Sequence, residues 1–242
     1  LTSLGWEAEH SAKDPEEFLA NANYPMQLIH PAASNTVSLH TFPTGPVVGQ
    51  VFHDVLESID FTRCDDFEYT NALCFEKLQT HGFSSDLADS LAKGIQNIIH
   101  SKLSVDSELC LFDLSISERL NEMEFHFDCI GVSSDDLFSE AERSYSSAIS
   151  SEQSSILNML ERYKFDLRPG FVKGFVDLIF MHGGRYHIVD YKSNYLGADF
   201  DSYTEDAIVI EMGHASYYMQ AWIYSLALHR FLSHRLKNYD PN

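Results

Sequence analysis

Two apolar runs joined by a pair of glycines constrain this chain more than any other feature. Phe171 to Phe180 and Tyr186 to Tyr191 are rich in β-branched and aromatic residues, and Met181-His182-Gly183-Gly184-Arg185 lies between them. Glycines in a short connection supply the positive φ of a tight hairpin, so the segment reads as two antiparallel strands. Pairing across Gly183-Gly184 brings Asp177, near the middle of the first strand, beside Asp190 on the second. Asp190 and Lys192 stand two apart and leave the same face of a strand. The apolar lead-in His187-Ile188-Val189 predicts a largely buried strand, in which charged side chains demand partners.

Two carboxylates and an ammonium that converge suit phosphodiester hydrolysis. That reaction needs hard oxygen ligands for a divalent cation, a positioned water and a positive group beside the phosphate. Asp177 and Asp190 fit the ligand role, and Lys192 fits the positive group. The tripeptide alone is weak evidence, because most Asp-x-Lys sequences are solvated strand edges.

Charge argues the other way. Lys and Arg total 16 against 36 Asp and Glu, a net charge of -20. A protein that grips DNA unaided usually carries a basic face to displace counterions from phosphates. Either a metal ion and a partner supply the positive charge, or nucleic acid is not the ligand, and composition alone favours the second. With 242 residues, 44% of them hydrophobic, the chain can build one large or two small domains. No apolar run is long enough for a membrane span, and Leu1 to Leu19 lacks the basic start and apolar stretch of a signal peptide. A soluble, cytoplasmic protein with no membrane partner is expected. The absence of an initiating Met, and an end just after a long helical pattern, suggest a piece of something larger. Cys64, Cys74, Cys110 and Cys129 form no CxxC pair, so reduced, mostly buried thiols are expected rather than a zinc knuckle or a disulfide framework.

Residues 1–42 read as an extended, irregular arm or linker. After Thr44-Gly45-Pro46, the spacing of Val48, Val51, Phe52, Val55, Leu56 and Ile59 predicts a helix, with Gln50, His53 and Glu57 along its other side. Further helices are expected over Asp66 to Gln79 and Ser84 to His100. Ser117 to Cys129 reads as a strand in which Glu122, Glu124 and His126 alternate with Met123, Phe125 and Phe127. The Ser- and acid-rich stretch 133–155 reads as a flexible loop leading into a helix at 156–163, and Glu211 to Leu236 as one long helix.

Read as motifs, these residues carry a resemblance. Gly170-Phe171-Val172-Lys173-Gly174-Phe175-Val176-Asp177-Leu178-Ile179-Phe180, then Gly184-Arg185-Tyr186, then Asp190-Tyr191-Lys192-Ser193-Asn194, strongly resemble the RecB-type nuclease domains of exodeoxyribonuclease V, within the PD-(D/E)xK superfamily. Gly45 through Phe61, with His53 and Glu57, resembles the helix that supplies this family's metal-binding histidine. Glu122-Met123-Glu124-Phe125 is similar to the strand ahead of the catalytic hairpin, and Tyr217-x-x-Gln220-x-x-x-Tyr224 to the C-terminal Gln-Tyr helix. Together these motifs span most of residues 43–240 in the family's order.

The resemblance implies an α/β, restriction-endonuclease-like fold. Its mixed central sheet is flanked by the His53 helix and a long C-terminal helix, with a helical elaboration at residues 62–105. It implies that His53, Asp177 and Asp190 bind Mg²⁺ together with the carbonyl of Tyr191, and that Lys192 is the catalytic lysine. Mn²⁺ is expected to be tolerated, since imidazole is a softer ligand than Mg²⁺ usually takes, and Ca²⁺ to bind without supporting catalysis. Gln220, Tyr224 and Tyr217 would position DNA. Glu57, four residues after His53, is a candidate to orient its imidazole, and Glu124 a candidate to face the metal. The cysteines lack the clustering that holds an iron-sulfur cluster in some relatives, and GxxxxGK[ST] is missing, so ATP is expected only at a helicase domain outside this chain. The implied activity is Mg²⁺-dependent hydrolysis of unwound strands of linear DNA in double-strand break repair and recombination, alongside RecC-like and RecD-like subunits. A non-catalytic docking module of the same fold, or a free-standing exonuclease, are the alternatives.

Overall fold

A computed structural model describes residues 42–104, 107–145, 150–162, 166–167, 169–197 and 199–240. Apart from Phe42, the arm expected over residues 1–42 lies outside them. The described chain forms two units: one contains Glu124–Phe175 and Phe200–Asn242, the other the residues up to Met123 and Val176–Asp199.

The second unit opens with helix α1, Pro46–Ser58. Gly45 precedes it at φ 131°, a conformation open to glycine, and Pro46 fills the first turn, where no N–H is required. A 3₁₀ turn at Phe61–Arg63 follows, then α2, Phe67–Thr80, whose first turn is capped by the Asp66 carboxylate accepting from the Tyr69 N–H. After a second 3₁₀ turn at Ser85–Leu87 comes α3, Ala88–His100. The helices after α1 fall where the helical elaboration at residues 62–105 is expected from the sequence. Their apolar faces meet in one core with Val51, Val55, Leu56, Ile59, Phe61, Leu78, Leu91, Ile95 and Ile99, to which the hairpin contributes Leu178 and Phe180.

Strand β1 is Arg119–Cys129, β2 is Val132–Ser133, helix α4 is Ser134–Ser144 and α5 is Ser151–Arg162. The flexible loop expected over 133–155 is thus largely helical. Ser133 and Asp136 form a reciprocal capping box, which starts a helix where composition alone suggests irregular chain. Strand β3, Asp166–Leu167, pairs with β2. Strands β4, Gly170–His182, and β5, Arg185–Val189, form the expected hairpin around Gly183 and Gly184, both at positive φ. The main sheet has the order β1-β4-β5 and is antiparallel, not mixed.

The expected single C-terminal helix is two helices, α6, Glu205–His214, and α7, Tyr217–Arg235. Ser216 breaks them apart in the left-handed region, at φ 60°. In this unit Ala141, Ile156, Met159, Leu160 and Tyr218 form the core, with Met212 and Trp222 packed against it. Among the described residues no helix is long and apolar enough to cross a membrane.

Candidate active site

The hairpin register decides which charges meet. Leu178 pairs with Val189 and Ile179 with Ile188, so the ladder ends one residue short of both Asp177 and Asp190 and leaves the two at the same end of the hairpin. β5 ends at Val189, and Asp190, Tyr191 and Lys192 follow in irregular chain rather than on the strand. Tyr191 turns its N–H onto the Asp177 carboxylate at 2.7 Å. That bond fixes Oδ2 of Asp177, which also lies 3.5 Å from Nδ1 of His53 on α1. The His53 ring meets the Tyr191 ring edge-on at 5.8 Å. Gly49, one turn earlier, lets α1 approach the chain after Lys192: a Cβ there would sit 2.7 Å from Oγ of Ser193.

Asp190 and Lys192 form an ion pair at 2.5 Å, with side chains only 19% and 21% exposed. Burial pushes the Asp190 carboxyl up to about 6; Lys192 opposes the rise and the charge of Asp177 adds to it. Burial likewise pushes the Tyr191 phenol up.

A further carboxylate, that of exposed Glu122, lies near enough for the charge of Asp177 to register on it. Glu122 on β1 has its carboxyl raised by partial desolvation and then by the charges of Glu57, Asp177 and Asp54. Its backbone sits in the left-handed region at φ 48°, which is unusual for a non-glycine residue within a strand. Glu124, the candidate drawn from sequence, instead pairs with Lys173 at 2.7 Å, both side chains about half exposed. The period of two gives Glu122 and Glu124 equal claims to one face. What separates them is their partners, Lys173 for Glu124 and the charge of Asp177 for Glu122, which sequence does not show. Glu57 is exposed on α1 and contributes through its charge on Glu122.

Gln220, Tyr224 and Tyr217 belong to the other unit, on α7. The Gln220 amide donates to the Tyr224 hydroxyl at 2.8 Å, and the Tyr224 ring packs edge-on against Phe125 at 5.7 Å. Tyr217 is half-buried at the start of the helix.

The structure therefore brings His53, Asp177, Asp190, Tyr191 and Lys192 into one group, with exposed Glu122 within reach of its charge. Its donor set fits a hard divalent cation: carboxylate oxygens and one imidazole, with negative charge in excess of the single lysine. Asp190 is engaged with Lys192 rather than closed onto the His53–Asp177 pair.

No family model matches the chain. Individual proteins do. The RecBCD enzyme subunit RecB of Escherichia coli (strain K12) is 32% identical over 212 residues, 85% of this chain and 16% of that protein. The RecB subunit of Haemophilus influenzae is 31% identical over 219 residues, covering 88% and 16%, and that of Borreliella burgdorferi is 27% identical over 209 residues, covering 83% and 16%. The chain spans about a sixth of the length of these curated relatives. Over most of its length, then, this chain is homologous to one segment of the RecBCD enzyme subunit RecB.

Proposed function

We propose that this chain is the nuclease domain of a RecBCD-type helicase-nuclease, with a PD-(D/E)xK fold, cutting unwound strands of linear DNA in double-strand break repair and recombination. The observation that carries the reading is the His53–Asp177 contact on one side and the Asp190–Lys192 ion pair on the other, both at the end of the hairpin. Asp177, Asp190 and His53, with the Tyr191 carbonyl, would hold Mg²⁺ or Mn²⁺. When bound, the ion lowers the pKa of a coordinated water and offsets phosphate charge.

The chain's own residues do the rest. The Tyr191 N–H holds Asp177 in place, so one carboxylate oxygen stays aimed beside His53. Asp190 fixes the Lys192 ammonium, which is then positioned to stabilise charge on the phosphate oxygens or to hold the attacking water. Glu122 adds negative potential that favours a cation over an anion. Gln220, Tyr224 and Tyr217 are proposed to position the strand, a role that rests on their motif. RecC-like and RecD-like partners that feed the strand in would make up for the net charge of -20, so the chain alone is expected to bind DNA weakly and with strong salt dependence.

The test is degradation of linear single-stranded DNA with Mg²⁺ or Mn²⁺ by the chain and by Asp190→Ala. Wild-type cutting that the variant loses supports the nuclease; equal behaviour of the two would favour the docking module.

A pH dependence follows from Asp190. Its carboxyl is raised from 3.8 to about 6, so between those values it holds a proton that a bound ion must displace. Mn²⁺ affinity measured by calorimetry is expected to fall up to about tenfold per pH unit as pH drops below 6. Asp190→Asn should flatten that dependence. Without an ion, the same shift contributes stability that is fully present below 3.8 and is lost as pH rises through about 6.

A further inference from the structure

Three ligand-type side chains outside the nuclease group close to coordination spacing. The donor atoms of Cys64, Asp65 and His100 all lie within 4.8 Å of one another. Cys64 and Asp65 follow the 3₁₀ turn Phe61–Arg63, and His100 ends α3, so residues 35 and 36 positions apart are brought together by the packing of the helical elaboration. Sγ of Cys64 lies 3.5 Å from Nε2 of His100, and Oδ1 of Asp65 lies 2.8 Å from the same nitrogen.

That shared nitrogen is the crux. Neutral imidazole carries one in-plane site on Nε2, which either donates a proton or accepts one. It can donate to Asp65 or accept from the Cys64 thiol, and one ring cannot do both. A cation between the three atoms satisfies all of them at once. The spacing suits it: tetrahedral coordination with Zn–S of about 2.3 Å and Zn–N of about 2.0 Å separates sulfur and nitrogen by about 3.5 Å, and 3.5 Å is the distance found. The Asp65 oxygen must retreat by roughly half an ångström from its hydrogen-bonded position to reach the same geometry, a small shift for a side chain that is 69% exposed.

We propose that Cys64, Asp65 and His100 bind one Zn²⁺, with water in the fourth position. The donors are thiolate, imidazole and carboxylate, a set that selects zinc over magnesium. Two of the three ligands are held in advance. The Cys64 carbonyl accepts from Oγ1 of Thr70 at 2.9 Å and from Nε2 of Gln96 at 2.6 Å, which ties that residue to α2 and α3. The His100 ring stacks on Phe112 at 4.6 Å, which fixes its plane. Cys64 is fully buried, while Asp65 and His100 open the site to solvent. Burial raises the Cys64 thiol to about 11, so it is neutral until an ion displaces its proton. Cys110, near enough for its charge to register at Cys64, is bonded to Asp113 and stays outside the set.

The experiment is titration of the chelator-stripped chain with Co²⁺ and then Zn²⁺. One equivalent of Co²⁺ is expected to produce a thiolate-to-cobalt absorption band, which Zn²⁺ then abolishes. Cys64→Ser should lose the band. His100→Gln, at a more exposed position, should weaken Zn²⁺ binding by more than the roughly 10- to 100-fold that outer partners of a metal command. Asp190→Ala should leave the band intact, which separates this site from the nuclease group whatever the fate of that reading. A wild-type protein with no thiolate band, or a His100→Gln protein that binds Zn²⁺ as tightly as wild type, overturns the proposal. Circular dichroism of both variants guards against loss of fold.

Discussion

Lys192→Met is expected to slow DNA cleavage by about 10²- to 10³-fold, the loss typical when one preorganised donor to a developing anion is removed. The methionine keeps most of the apolar stem of the side chain and removes its charge. Because the ammonium is proposed to act on the phosphate in the transition state, the loss should fall on kcat more than on KM. A second change should accompany it. Lys192 is what restrains the rise of the Asp190 carboxyl, so without it Asp190 should hold its proton to higher pH. Mn²⁺ affinity in the variant should then weaken at higher pH than in wild type. Unaltered kcat with a normal metal profile would remove Lys192 from the chemistry and leave it as a structural partner of Asp190.

Phe61→Ala is expected to destabilise the chain by about 3–5 kcal/mol, read as a lower urea midpoint at unchanged slope. Phe61 is fully buried in the helical core. The Arg119 guanidinium lies 3.4 Å over its ring, and that side chain also donates to the Ile59 carbonyl at 2.5 Å. Truncation therefore opens a cavity and removes the surface that anchors the start of β1, three residues before Glu122. The Phe61→Leu variant, which retains most of the volume, should recover the larger part of the loss. A destabilisation below about 1 kcal/mol for the alanine variant would mean that this part of the core collapses to fill the gap.

What sequence could reveal here depended on how local the cause was. The hairpin was legible because Gly183-Gly184 fixes a register by counting, and that register ends with Asp177 and Asp190 next in line on the two chains. Helix α1 was legible from its apolar spacing and its Gly45-Pro46 entry. The helix at Ser134–Ser144 was obscured because its start is a capping box within a serine-rich stretch, where composition points to loop. The break at Ser216 has neither Gly nor Pro to announce it. The choice between Glu122 and Glu124 turned on tertiary partners, and the meeting of Cys64 with His100 on packing across 36 positions. Spacing arguments reach neither.

The hairpin turn also limits how this segment can change in length. Every position from Leu178 to Val189 lies between the two aspartates, folded back on itself at Gly183 and Gly184. One residue added to either strand would carry Asp190 off its partner and invert which face its neighbours occupy, whereas one added to each strand would lengthen the ladder and preserve the meeting. The segment can therefore grow or shrink only in matched pairs.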